Sequence, residues 1–73
     1  MTDTAKLAKR IEASGYKKSY IAKTLGITTH SLSMKVRNLS EFKASEIDTI
    51  CRLLGITDAG EKEAIFFAVG VDY

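Results

Sequence analysis

Residues 29 to 37 place several hydrogen-bonding side chains where they can act together. On a helix, Thr29, His30, Ser33 and Arg37 fall on one face, and Met34 lies among them. Hydroxyl, imidazole and guanidinium groups can exchange hydrogen bonds with the edges of bases, whereas an unbranched Met can pack against a base or a protein surface. This face is therefore predicted to bind a macromolecule.

Other residue types with catalytic potential do not combine into a reactive site. His30 has no Cys, His or carboxylate partner at the spacing of a metal site, and the single Cys51 lies on an apolar stripe that predicts a buried thiol. The sequence has no Ser-His-Asp order, no paired catalytic carboxylates and no Gly-rich phosphate loop. We expect a protein that is not an enzyme and that uses no metal or cofactor.

The segment that must position this face, about 18–38, has the pattern of a helix-turn-helix. Ala22 supplies a small side chain where two helices cross steeply, and Gly26, four residues later, can adopt the positive φ that a tight turn needs. The first of these two helices is predicted to pack through Tyr20, Ile21, Ala22 and Leu25. Reading of DNA is therefore the first functional hypothesis.

Composition and periodicity predict one all-α domain of five helices over residues 1–73. The chain has no Pro, few aromatic residues and no run with the period of a strand. The helices are predicted to run from Thr2 or Asp3 to Gly15, from Lys18 to Leu25, from Thr28 to about Asn38, from Lys43 or Ser45 to Gly55, and over about 58–69.

Charge is unevenly distributed along the sequence. Residues 1–43 contain nine Lys or Arg against three acids, whereas residues 44–73 contain two against six. This layout is expected of a protein that docks a polyanion on one side. Lys17 and Lys18 stand at a predicted helix N-terminus, where positive charge is unfavourable unless a phosphate lies nearby. The N-terminus has no apolar segment for a signal peptide or membrane span, so we expect a cytoplasmic protein that does not contact membranes.

The sequence YIAKTLGITTHSLSMKVRN, followed by EFKASEIDTICRLLGI, resembles the phage repressor and Cro group of helix-turn-helix proteins. It is most similar to small Cro-like and repressor-modulating proteins of phages that infect Gram-positive bacteria. The resemblance implies a lambda-repressor-like DNA-binding domain, with the third helix in the major groove and the second across the backbone.

The resemblance also implies roles for individual residues. The base-reading candidates are Thr28, Thr29, His30, Ser33 and Met34, with Arg37 in reserve. Lys18 and Asn38 fall at positions that resemble phosphate contacts, and Lys35, Arg37 and Lys43 would add charge nearby. Lys17 joins the phosphate-contacting candidates because of its place at a helix N-terminus, and basic residues of the first helix would also hold phosphates. None of the first five readers is an Arg, Lys, Asn or Gln, the side chains that discriminate bases most strongly.

Two functions therefore stay open. In the first, the chain is a phage transcriptional regulator that binds double-stranded operator DNA and controls the lysis-lysogeny switch in a bacterial host cell. In the second, it is an anti-repressor that binds the phage repressor protein and alters its DNA binding. The candidates for a homodimer or partner interface are Met34, Phe66, Phe67, Val69, Val71 and Tyr73.

Overall fold

The computed structural model describes residues 1–69, and all the regular structure in them is helical. The five helices are α1 (Thr4–Ser14), α2 (Lys18–Leu25), α3 (Thr29–Val36), α4 (Ala44–Leu54) and α5 (Ala59–Phe66). The predicted all-α class and the number of helices are confirmed for this range. None of these helices has the length and apolar composition needed to cross a membrane.

Three helices begin at side-chain caps that the sequence predicts. Asp3 Oδ1 accepts a hydrogen bond from the backbone N–H of Lys6 at 3.1 Å, and Thr28 Oγ1 accepts one from Ser31 at 3.0 Å. Asp58 does the same for Glu61 at 2.9 Å. Each cap satisfies a first-turn N–H that has no partner within the helix, which fixes where the helix starts.

α3 is two residues shorter than predicted. Arg37 is its C-cap, and Asn38 adopts the left-handed conformation with φ 64°. The N–H of Leu39 donates to the carbonyl of Met34 at 2.8 Å, so the chain closes a turn there. Asn tolerates positive φ better than most residues, and this explains why the helix ends before it.

The core is formed by apolar side chains from all five helices. α2 packs against α3 and α4, while α1 packs against α3, α4 and α5. The buried apolar residues are Leu7, Ile11, Ile21, Ala22, Leu32, Val36, Ile47, Ile50, Cys51, Leu54, Ile56, Ile65 and Phe66. The buried Ala22 agrees with the small side chain expected where α2 meets its neighbours.

Tyr20 is not in this core, contrary to the prediction from the sequence. Its side chain is 50% exposed, because Ile21 and Ala22 occupy the inward positions of α2. The Tyr20 ring instead lies 5.2 Å from the ring of Tyr16, centroid to centroid. An aromatic pair therefore stands at the surface at the beginning of α2.

Gly26→Ala is expected to lower the free energy of unfolding by about 1–2 kcal/mol, the cost of left-handed backbone for a residue with a Cβ. Gly26 has φ 74°, and no atom would lie within 4 Å of an added Cβ, so the cost is conformational rather than steric. Urea denaturation measures it. Gly26→Asn should lose less because Asn tolerates this conformation, and an Ala variant as stable as the parent chain would contradict the expectation.

Candidate nucleic-acid interface

The polar face of α3 is exposed as a unit. Leu32 and Val36 hold the adjoining side of the helix in the core. At 100° per residue, the outward positions 29, 30, 33, 34 and 37 span an arc of about 140°. Of the predicted readers, Thr28, Thr29, His30 and Arg37 are exposed, and Ser33 and Met34 are partly exposed. The structure thus brings the predicted readers onto one surface.

Thr28 differs from the other readers because it already has a structural role. Its hydroxyl oxygen accepts the hydrogen bond that caps α3, so one of its two lone pairs is already used and the orientation of the hydroxyl is fixed by the helix. The neighbouring Thr29 and His30 have no such engagement among the hydrogen bonds of the described residues. We therefore assign the start of the face to Thr29 and His30 rather than to Thr28.

Exposed cations surround this face. None of them lies within ion-pair distance of a carboxylate in the part of the chain that the structure describes. Over residues 16–43, the single acid is Glu41. The exposed cations are Lys17, Lys18, Lys23, Arg37 and Lys43. The surface formed by α2, α3 and the start of α4 is therefore strongly positive, and we call it the α2–α3 surface.

Lys35 does not belong to the phosphate-contacting set that the resemblance implied. Its side chain is buried, with 7% of the residue exposed, and its ammonium group donates to Glu46 Oε1. The same carboxylate oxygen accepts the backbone N–H of Lys43 at 2.8 Å. Lys35 therefore joins α3 to α4 instead of facing a ligand.

Glu46 was not identified from the sequence, although a signal for it exists. Lys43 is the N-cap of α4, which makes Glu46 the third residue of the helix, where a Glu commonly bonds back to the cap N–H. The sequence left the cap open between Lys43 and Ser45, and only the first choice places Glu46 in this role. Its carboxylate then also lies within reach of α3.

The environment of Glu46 lowers the pKa of its carboxyl group below the ordinary value of 4.5. Burial alone would raise this pKa, because a charged carboxylate loses its hydration. The hydrogen bonds from the Lys35 ammonium and the Lys43 N–H, together with the charges of both lysines, outweigh burial. The carboxyl group of Glu46 is therefore ionised near neutral pH.

Asn38 also has a structural partner. Its Oδ1 atom accepts the backbone N–H of Thr2 at 3.2 Å, which ties the N-terminal segment to the end of α3. Its side-chain NH2 group is the part that remains for contact with a phosphate. The phosphate contact that the resemblance implied for Asn38 would therefore use the NH2 group alone.

The C-terminal interface candidates separate into buried and exposed residues. Phe66 is 3% exposed and packs edge-on against Phe42, with ring centroids 5.4 Å apart, so it is a core residue rather than an interface residue. Phe67 and Val69 are 51% and 96% exposed. The two remaining candidates, Val71 and Tyr73, lie outside the described residues.

Phe67 borders an open cavity of about 220 Å³ between the N-terminal residues, the end of α5 and the segment that leads into α4. Met1 lines the cavity as well, and its carbonyl accepts the N–H of Ala68 at 2.9 Å. Met1 and Leu39 are more than half exposed. Leu39 follows the cavity residue Asn38 in sequence, and Val69 follows Ala68; we call the four exposed apolar residues Met1, Leu39, Phe67 and Val69 the terminal apolar surface.

Cys51 is buried, as its position on the apolar stripe predicts. Burial raises the pKa of its thiol; Lys62 lowers this pKa, and the charges of Asp48 and Glu61 raise it further. The thiol is therefore uncharged at neutral pH and poorly nucleophilic. Within residues 1–69, no three His, Cys, Asp or Glu side chains stand close enough together to hold a metal ion.

Comparison of the chain with protein-family models, with curated proteins and with solved structures gives no match. The candidate site therefore depends on the geometry and charge described above.

Proposed function

We propose that α2 and α3 form a helix-turn-helix of the lambda-repressor-like type and that the chain is a phage transcriptional regulator of the lysis-lysogeny switch. The third helix would enter the major groove of operator DNA. One observation carries the proposal: the polar face of α3 reaches the surface in a segment, residues 16–43, whose five exposed cations form no ion pair within the described residues and which contains one acid.

The charges support phosphate binding around α3. α2 begins with Lys17 as a cap that forms no side-chain hydrogen bond. The N–H of Tyr20 donates to the Lys17 carbonyl at 3.0 Å, so the N–H groups of Lys18 and Ser19 are the ones open to water or to an anion. Lys17 and Lys18 would otherwise repel the positive end of this helix. A phosphate at the same place converts two unfavourable charges into favourable ones.

The α3 face supports base reading of modest specificity. His30 can donate to a guanine acceptor, and the methyl group of Thr29 can contact a thymine methyl. Arg37 is the strongest potential reader because its guanidinium can bond two acceptors of one guanine. It is the C-cap of α3, however, and so lies at the far end of the face.

Binding to random-sequence duplexes of about 30 base pairs, long enough for two half-sites one turn apart, tests this proposal. Selection from such a pool should enrich a sequence to which the purified chain binds without another protein, seen as a slower electrophoretic mobility of the duplex. The logarithm of affinity should fall with the logarithm of salt concentration with a slope of about −4.5 per half-site, since five cations each contribute about −0.9. Absence of any shift at about 50 mM salt, where electrostatic binding is strong, would contradict direct DNA binding.

The terminal apolar surface supports a homodimer that places two α3 helices on two half-sites. Phe67 and Val69 would lose their exposure against a second copy. This interface does not use the α2–α3 surface, so dimerisation and DNA binding are compatible. The dimer would bind an operator with two related half-sites.

Phe67→Ser is expected to shift the chain toward the monomer in sedimentation equilibrium, because it removes the large apolar side chain of this surface. Truncation of a central aromatic residue at an interface commonly costs 2 kcal/mol or more, or roughly a thirtyfold weaker dimer. Tyr20→Ser is the matched control, since Tyr20 is equally exposed but lies on α2. Equal effects of the two substitutions would contradict the interface.

Anti-repression is the second candidate, and the aromatic pair of Tyr16 and Tyr20 favours it. Exposed aromatic residues are enriched at protein interfaces, and Met34 adds an adaptable apolar side chain to the α3 face. On this proposal, the chain covers the DNA-binding face of a phage repressor protein. Co-purification with that repressor, together with a DNA shift that requires it, would select this function over direct operator binding.

A further inference from the structure

A second surface of the protein combines cations with apolar side chains. α1 and α5 pack against each other and leave an open groove of about 290 Å³ between them. The groove is lined by Lys6, Lys9, Arg10, Glu61, Ala64 and Ile65. None of these residues belongs to the α2–α3 surface or to the terminal apolar surface, so the groove is a separate feature.

The side chain of Arg10 lines one side of the groove and is held in place by two contacts. Its Nε atom lies 3.2 Å from Glu61 Oε2, and its Nη2 atom donates to the carbonyl of Leu54 at 3.1 Å. These contacts connect α1 to α5 and to the end of α4. The charges of Arg10 and Glu61 largely offset each other. The net positive charge of the groove therefore comes from Lys6 and Lys9.

Lys6 and Lys9 are the cations available to a ligand. The ammonium group of Lys6 is 3.9 Å from Asp3 and its side chain is 57% exposed, so this ion pair is loose. Lys9 is exposed and forms no ion pair within residues 1–69. The two positions are three residues apart on one helix, which places both ammonium groups along the same rim.

The floor of the groove is apolar. Ala64 is partly exposed, and Ile65 beside it is almost completely buried. The volume is slightly below the range of about 300–1,000 Å³ typical of small-molecule sites, and the groove is open, so it suits an inserted side chain rather than an enclosed ligand. A small residue at position 64 is what leaves this space.

We propose that the α1–α5 groove binds an acidic amphipathic segment of a partner protein. An apolar side chain of that segment packs onto Ala64, and its carboxylates contact Lys6 and Lys9. Charge complementarity selects this occupant, because the rim is cationic and the floor is apolar. A phosphate backbone would leave the apolar floor uncovered. This site is independent of the proposed DNA binding and would let one chain contact DNA and a protein at the same time.

The experiment uses the full chain labelled with ¹⁵N and a synthetic peptide probe. The probe is an acetylated, amidated helical peptide of Glu, Leu and Phe with apolar residues at i and i+4, and its control carries Lys in place of every Glu. We expect the acidic probe to shift the amide resonances of Lys9 and Ala64, whereas the basic control leaves them unchanged. Perturbation of the α2–α3 surface instead would overturn the proposal.

Charge reversal tests the rim. The double variant Lys6→Glu, Lys9→Glu is expected to raise the dissociation constant of the acidic probe about tenfold, because like charges then face each other. Lys17→Glu, Lys23→Glu is the matched control, with the same charge change on the α2–α3 surface and no expected effect on the probe. Equal weakening by both double variants would show attraction by net charge alone and would overturn the site.

Two further results would assign the groove to another occupant and overturn the proposal. In the first, the chain self-associates through the groove, so that Lys6→Glu, Lys9→Glu abolishes a dimer while the acidic probe does not bind. In the second, a random-sequence DNA duplex shifts the resonances of Lys9 and Ala64 as strongly as those of α3. Ala64→Phe supplies an additional check, since it should block the probe and leave the helical circular dichroism spectrum unchanged.

Discussion

Replacing Glu46 with Ala is expected to lower the free energy of unfolding by about 3–5 kcal/mol, the range measured when one partner of a buried ion pair is removed. Only 7% of Lys35 and 6% of Glu46 are exposed, so the remaining ammonium group would be buried without a carboxylate. The substitution also removes the acceptor of the Lys43 N–H. Urea denaturation of the variant and the parent chain measures the loss.

Two variants separate the contributions within this pair. Glu46→Gln keeps a carbonyl acceptor for Lys43 but removes the charge that Lys35 requires, so most of the loss should persist. Lys35→Met, Glu46→Leu replaces both charges with apolar groups of similar size and should recover much of the stability, as buried pairs rarely exceed their apolar replacements. A loss below 1 kcal/mol in Glu46→Ala would show that water reaches the pair.

The pH dependence of stability follows from the lowered pKa of Glu46. Because the folded chain binds the proton more weakly than the unfolded chain, the contribution of this group is fully present above its unfolded pKa, near 4.5. It is lost as the pH falls below 4.5 and through the lower folded pKa. Glu46→Gln should therefore flatten the acid side of the stability curve, and an unchanged acid limb would contradict this assignment.

The helix ends were predictable because their causes are local. Asp3, Thr28 and Asp58 each cap a helix through a bond to a residue three positions away, and such spacing is visible in the sequence. The end of α3 was less predictable. Asn38 stops the helix by adopting positive φ, and its contact with Thr2 spans 36 positions along the chain.

Whether an individual side chain is buried or exposed depended on tertiary packing. Lys35 follows Met34 in sequence and carries a charge, so exposure was expected. Its side chain instead turns toward the Glu46 carboxylate on α4. Phe66 and Phe67 are adjacent in sequence and both were interface candidates, yet Phe66 packs against Phe42 in the core while Phe67 is exposed. Helical periodicity gives the angle between neighbouring residues, but it does not say where the next element supplies a partner.

The outward face of α3 was predictable, whereas its ligand was not. A helix whose Leu32 and Val36 point inward turns positions 30, 34 and 37 away from the core, whatever it binds. The same polar side chains can form hydrogen bonds with DNA or with a protein. The positive charge of the neighbouring residues favours DNA, which is a polyanion. Substitutions that distinguish charge from hydrogen-bond geometry are therefore more informative than loss of binding alone.

Lys18→Ala is expected to weaken DNA binding roughly uniformly across sequences and to reduce the magnitude of the salt slope by about 1, because it removes one phosphate contact. Removing Lys17 as well should double the change in slope. Both residues are exposed and form no ion pair in the described part of the chain, so the fold should not be affected. Lys62→Ala is the matched control, since it removes a cation of α5 that lies outside the α2–α3 surface and outside α1, whose basic residues are also candidates for phosphate contact.

His30→Ala and Ser33→Ala should instead change the preferred base at one position each, at a cost of about 1–3 kcal/mol for the original base. Their salt slopes should stay near that of the parent chain, because neither substitution removes a permanent charge. Titration of all variants against single-base variants of the selected site, at several salt concentrations, separates the two classes. Equal binding by Lys18→Ala, His30→Ala and Ser33→Ala would contradict direct readout and leave α3 as a protein-binding face.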